Sequence, residues 1–125
     1  MPTYIAGRES SILTAIIKGE KTIECRLAKG KYLTYQAGDQ VHLREDIWQD
    51  GHIIASHPPT VIVEVLKVTS YRSFKEMFST IGFEHAIPNA TTVNEAIAVC
   101  RQFYTVEQEL HFGVLAIYFK LIQAV

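Results

Sequence analysis

Residues 19–26 read Gly19-Glu20-Lys21-Thr22-Ile23-Glu24-Cys25-Arg26, and this stretch decides how the rest of the chain is organised. Upstream, Ile12, Leu13, Ile16 and Ile17 recur at helical spacing, which predicts a helix over Ser10–Lys18. Gly19 closes it, because glycine tolerates the left-handed conformation of a C-terminal cap. Within the stretch, β-branched Thr22 and Ile23 mark the change to a strand ending near Leu27. Side chains alternate across a strand, so Glu24 and Arg26 share one face while Ile23 and Cys25 take the other. Lys21 is out of phase with Glu24 and reaches the same space only from the bend after Gly19 or through a bulge. Four ionisable groups therefore crowd the entry to a core strand. They are either a solvated edge with an ordinary surface ion pair or the charged wall of a cleft.

Downstream, Ala28–Gly38 reads as a loop carrying Lys29-Gly30-Lys31 with Tyr32 and Tyr35. Interleaved bases and aromatics can stack on nucleobases, but a packed loop with snorkelling lysines explains them as well. Val41, Leu43, Glu45 and Ile47 alternate with His42, Arg44, Asp46 and Trp48, a half-buried strand. Asp50-Gly51 is a hairpin turn, His52–Ala55 returns antiparallel, and Pro58-Pro59 is expected to stop it. Thr60–Val68 is the most strand-like run, and Glu64 in its middle has apolar same-face neighbours, Ile62 and Leu66. A carboxylate so placed must reach solvent or find a partner, and Lys21 or Arg26 is the expected one.

Ser73-x-x-Glu76 opens a short helix with Phe74, Met77, Phe78 and Ile81 inward and Gly82 after it. Phe83–Ala90 is a loop broken by Pro88. Thr92-x-x-Glu95 starts a second helix whose inner face is Val93, Ala96, Ile97, Cys100 and Phe103, flanked by Arg101 and Tyr104. Val114–Ile122 is apolar on both faces and so predicted central, and Thr3–Ile5 reads as a short strand. Strands in one run with helices at the ends predict an α+β fold.

A chain of 125 residues is expected to form one domain over residues 1–125. With 48% hydrophobic and 20% charged residues it reads as a soluble globular protein rather than a disordered one. No apolar run approaches the roughly 18 residues that span a bilayer, and no leader-like segment opens the chain. The expectation is a cytoplasmic protein that does not engage membranes. Cys25 and Cys100 are expected to be reduced, and the five scattered histidines show no zinc spacing, so no metal or cofactor is expected. A net charge of −1 excludes a general polyanion binder. Its distribution is uneven: up to Tyr35, six bases face three acids (+3), whereas from Gln36 to Ser70 two bases face five acids (−3). The basic first third can form a local phosphate-facing patch.

Gly19-x-Lys21-x-x-Glu24-x-Arg26 resembles the G-x-K-x-x-E-x-R signature of ASCH domains, a family of the PUA-like superfamily. Gly38-Asp39-Gln40-Val41, Val63-Glu64-Val65, Tyr71-Arg72-Ser73-Phe74, Arg101-Gln102-Phe103-Tyr104 and Gly113-Val114-Leu115-Ala116-Ile117 are similar to later family segments in the same order. The match runs from about residue 12 to the C-terminus. The resemblance implies a small mixed β-barrel of PUA-like type with flanking helices.

No nucleophile paired with a histidine, no phosphate-binding glycine loop and no paired metal ligands occur in the chain. Lys21, Glu24, Arg26 and Glu64 are expected to border one mixed-charge cleft suited to a base edge, a nucleoside or a phosphate. Tyr71, Arg101 and Tyr104 complete the candidate ligand-binding set. Two functions follow from the resemblance. One is an RNA-, nucleic-acid- or nucleoside-binding module. The other is a small amidohydrolase acting on N(4)-acetylcytidine or another modified nucleoside, or an RNA-processing hydrolase. Some family members are such amidohydrolases, using a lysine, a threonine and a glutamate. Lys21 and Glu64 match two of these positions, but Glu24 stands where that subgroup has threonine, so its hydroxyl chemistry has no counterpart here. Glu24 can act only as a base toward water.

Overall fold

The computed structural model describes residues 3–124. Its elements are β1 (Thr3–Arg8), α1 (Ser10–Ile17), β2 (Ile23–Leu27), β3 (Gln40–Gln49), β4 (His52–Tyr71), α2 (Phe74–Ile81), α3 (Val93–Arg101), α4 (Val106–Phe112) and β5 (Val114–Ala124), with a 3-10 turn at Gly30–Thr34. The strands form one sheet of order β1-β3-β4-β5-β2, with β1 parallel to β3 and the remaining pairs antiparallel. The fold is mixed α+β. No ladder joins β1 to β2 among the described residues, so hydrogen bonding leaves the expected barrel open at one seam.

Two apolar cores lie on opposite faces of this sheet. Leu115, Ile117 and Phe119 of β5 join Val61, Val63 and Val65 of β4 and Leu13 and Ile16 of α1 in the first. Val114 and Ala116 turn the other way, to Ile23, Cys25 and Leu27 of β2 and to Phe74, Met77 and Ala96 of the helices. The period of two along β5 is thus buried on both sides, which explains its doubly apolar sequence and its interior place between β4 and β2.

β4 is longer than expected. Thr60–Val68 and the hairpin return His52–Ala55 are one strand, because Pro58-Pro59 does not stop it. Leu43 pairs with Val61 and Glu45 with His57, so two steps along β3 match four along β4. The prolines sit in that bulge, where no ladder N–H is required of them. The alternation of β3 also changes phase there. Val41 and Leu43 are buried, but so is Asp46, while Ile47 is exposed. Further register shifts at Ile62/Val63 and Val65/Lys67 bend β4 against β5.

The helix caps at Ser73 and Thr92 form as predicted, each side chain accepting from the backbone N–H three residues on. α4 is an addition to the two helices expected between the last two strands. Thr105 and Gln108 make its reciprocal capping box, and Gly113 ends it.

Candidate functional site

The seam between β1 and β2 is bridged by side chains. Arg8 on β1 donates from Nε to Glu24 Oε2 at 2.9 Å and from Nη1 to the Gly7 carbonyl at 2.7 Å. Arg26, two residues along β2 on the same face as Glu24, brings its Nε to 3.5 Å from Glu24 Oε1. Burial alone would push the Glu24 carboxyl up. The charges of Arg8, Arg26 and Lys21, with the Arg8 hydrogen bond, outweigh it and hold Glu24 far below the usual carboxylate range. Glu24 is therefore a fixed anion.

Lys21 arrives by the bend after Gly19, whose φ of 78° needs a glycine. Its ammonium is buried and donates to the carbonyls of Ala86 at 2.6 Å and Ile23 at 3.0 Å. No carboxylate forms an ion pair with it among the described residues. The loop after α2 that supplies Ala86 also covers the start of β2, where the His85 carbonyl accepts from Thr22 N.

Arg26 donates from Nη1 to the Tyr104 hydroxyl at 3.3 Å, and its guanidinium lies 5.2 Å from the Tyr32 ring centroid. Tyr104 is itself stacked on Phe74, with centroids 5.8 Å apart, so a rigid aromatic backing fixes the cation. The Lys29–Lys31 loop is packed as well: Lys31 donates to the Ile5 carbonyl at 3.3 Å, and Lys29 lies over Phe112. Burial and then the charges of Arg8, Arg26 and Arg44 push the Lys31 ammonium down, which shows how closely the cations crowd this side.

These groups open into a cleft of about 420 Å³ whose walls include Arg8, Lys21, Glu24, Arg26 and Tyr104. Trp48 and Phe103 stand on its rim, 50% and 68% exposed. Cys25 and Cys100 lie in its floor, and burial pushes both thiols up to about 12, so neither is a nucleophile at neutral pH. The cleft thus offers three cations, the fixed carboxylate of Glu24, the exposed carboxylate of Glu9 and exposed aromatic faces.

Of the expected set, Lys21, Glu24, Arg26 and Tyr104 come together; Glu64, Tyr71 and Arg101 do not. Glu64 lies between Val63 and Val65, which point into the first core, so its side chain leaves by the opposite face of β4. It pairs across to β5 with Lys120 at 3.7 Å, beyond the last residue of β5 that β2 covers, Tyr118. The expected Lys21 or Arg26 partner is thus corrected to Lys120. The Tyr71 hydroxyl accepts from Thr69 at 3.2 Å and borders a separate groove with His111. Arg101 is committed to α4, where it grips buried Glu109 with two bonds of 3.0 and 3.2 Å.

Sequence reasoning missed Arg8, Trp48 and Phe103. Arg8 entered only a charge count, since a pairing across a seam leaves no local spacing. Phe103 was expected inside; α3 ends at Arg101, so its helical phase no longer applies. Trp48 falls among the alternating positions of a half-buried strand, and spacing alone does not mark it as the rim of a cleft.

The ASCH domain family model matches residues 10–123. No curated protein matches the chain. Among solved structures, the hypothetical protein PH0355 superposes with a TM-score of 0.79 at 30% identity, covering 98% of this chain and 100% of its own. The protein PF0455 from Pyrococcus furiosus gives 0.74 at 29% identity, covering 98% of each chain. The ASCH domain from Lactobacillus crispatus JV V101 shares the fold at 16% identity with a TM-score of 0.57, covering 98% of this chain and 80% of its own.

Proposed function

The chain belongs to the ASCH domain family, and from that membership and the cleft we propose that it is a binding module for RNA or its nucleotide units. One observation carries the reading: Arg8 and Arg26 converge on the carboxylate of Glu24 beneath exposed Trp48 and Phe103, with Lys21 and Glu9 also in the wall. The surplus positive charge suits a phosphate. The aromatic rim suits nucleobases, which stack on aromatic side chains regardless of sequence. Tyr104 and the ionised Glu24 add a donor and acceptors for a base edge. The local character of the site fits a chain whose overall charge is −1.

The hydrolase alternative lacks its constellation. Glu64 leaves β4 by the face opposite the first core and is engaged with Lys120. Glu24, surrounded by cations, is a weak base. A bound nucleotide unit is held, in this reading, without being cut.

Fluorescence anisotropy of a labelled single-stranded RNA decides the matter. Binding is expected to weaken with salt, with a log–log slope of roughly −0.7 per phosphate neutralised. Arg26→Ala is expected to weaken it at least about tenfold, the loss of a charge-assisted contact. Equal affinity of wild type and Arg26→Ala, or no binding at low salt, contradicts the proposal.

A further inference from the structure

A second pocket adjoins the cleft. Its volume is about 440 Å³, close to that of the cleft itself, and it lies between α1 and the loop after α2. Ile12, Lys21, Ile87 and Val99 line both. The two are therefore compartments of one groove that share a wall, and Lys21 is the only charged residue in it.

Their chemistry differs. The first compartment holds Arg8, Arg26, Glu24 and, at its exposed edge, Glu9 under an aromatic rim. The second has an apolar floor that includes Ala15 and Pro88, with Ser11, Thr14, Glu20 and Asn89 as its polar groups. Glu20 disfavours a phosphate there, whereas an amide, two hydroxyls and a carboxylate over an apolar floor suit the edge and face of a base. Between the two, the Lys21 ammonium is buried and has only carbonyl oxygens as partners among the described residues. The Glu24 anion acts on it only at longer range, without a direct ion pair, and an anion at the shared wall would supply the direct counter-charge that a buried ammonium favours.

We infer that the groove takes a single-stranded dinucleotide step: one nucleotide in the Arg8–Arg26 cleft, its neighbour's base against Asn89, and the phosphodiester joining them at Lys21. This rests on the nucleic-acid reading above and deepens it. The recognised unit is a strand, and a free nucleoside fills only half the groove. Occupying both compartments through one covalent link makes the second contact intramolecular, so affinity rises more than either unit alone provides.

Isothermal titration of the full chain with uridine, uridine 3′-monophosphate and the dinucleotide UpU tests this, with Trp48 fluorescence as a second readout in the wild type, whose one tryptophan it is. UpU is expected to bind at least about tenfold more tightly than the monophosphate. In Asn89→Trp, whose indole fills the second compartment from an exposed loop position, the ratio of the two affinities is expected to fall to near one. Equal affinities for UpU and the monophosphate in the wild type overturn the two-compartment inference and leave the cleft reading standing. A ratio that survives in Asn89→Trp also overturns it. Absence of binding by all three ligands overturns both readings together.

Discussion

At Gly7 the arrangement of the seam depends on one missing atom. The space a Cβ would need is occupied by the carboxylate of Asp46, which is fixed by Arg44 Nε at 2.8 Å and Ser56 Oγ at 2.7 Å. A methyl group there forces Asp46 off those partners and displaces the β1 backbone next to Arg8. Gly7→Ala is expected to lower stability by about 1–3 kcal/mol, the usual range for overpacking; an unchanged urea midpoint would contradict this. Glu24 supplies a pH signature. Its folded pKa lies below the unfolded value of 4.5, so its contribution is complete above that value and is lost as pH falls below it. The melting temperature of the wild type is therefore expected to drop steeply from pH 5 downward. Glu24→Gln should be less stable at neutral pH and show a flatter acid limb; parallel profiles would mean that the seam ion pairs contribute nothing.

Among the elements, the contrast between what was legible and what was not follows the range of the interactions. Caps at Ser73 and Thr92 and the turn at Asp50-Gly51 are local, set within four residues, and they form as read. The face shared by Glu24 and Arg26 is equally local, a consequence of strand alternation. Pro58-Pro59 misled because its effect depends on the partner strand: opposite a bulge, a proline costs no ladder bond. Arg101 misled for a related reason. Its position after Cys100 was compatible with a cleft, and only the unanticipated α4 brings Glu109 within reach. That placement makes Arg101 a strut between two helices. Arg101→Ala leaves the Glu109 carboxylate buried, with only a long backbone contact from Phe74 N at 3.4 Å. The expected cost is about 3 kcal/mol in chemical unfolding, as for other broken buried pairs, with RNA affinity unchanged per folded molecule. Lost affinity at full stability would instead return Arg101 to the ligand.

On the scale of the whole molecule, the sheet order explains why a site exists at all. Placing β1 and β2 at opposite ends of a five-stranded sheet leaves two edges, and exposed edges must be managed. Here charged side chains join them, Arg8 to Glu24, where backbone bonds would have closed a barrel. The opening so preserved is lined with cations because the basic first third of the chain supplies β1, β2 and the bend between α1 and β2. Glu64 belongs to the acidic middle third and to the other side of the sheet, which is why sequence proximity to family segments did not bring it into the cleft. The most direct test of this account is amide and indole chemical-shift mapping with a short single-stranded RNA. The shifts are expected to cluster on Gly7, Arg8, Glu24, Arg26, Phe103, Tyr104 and the Trp48 indole. A cluster centred on Glu64 and Lys120, or on the groove beside Tyr71 and His111, with the seam unperturbed, would contradict it.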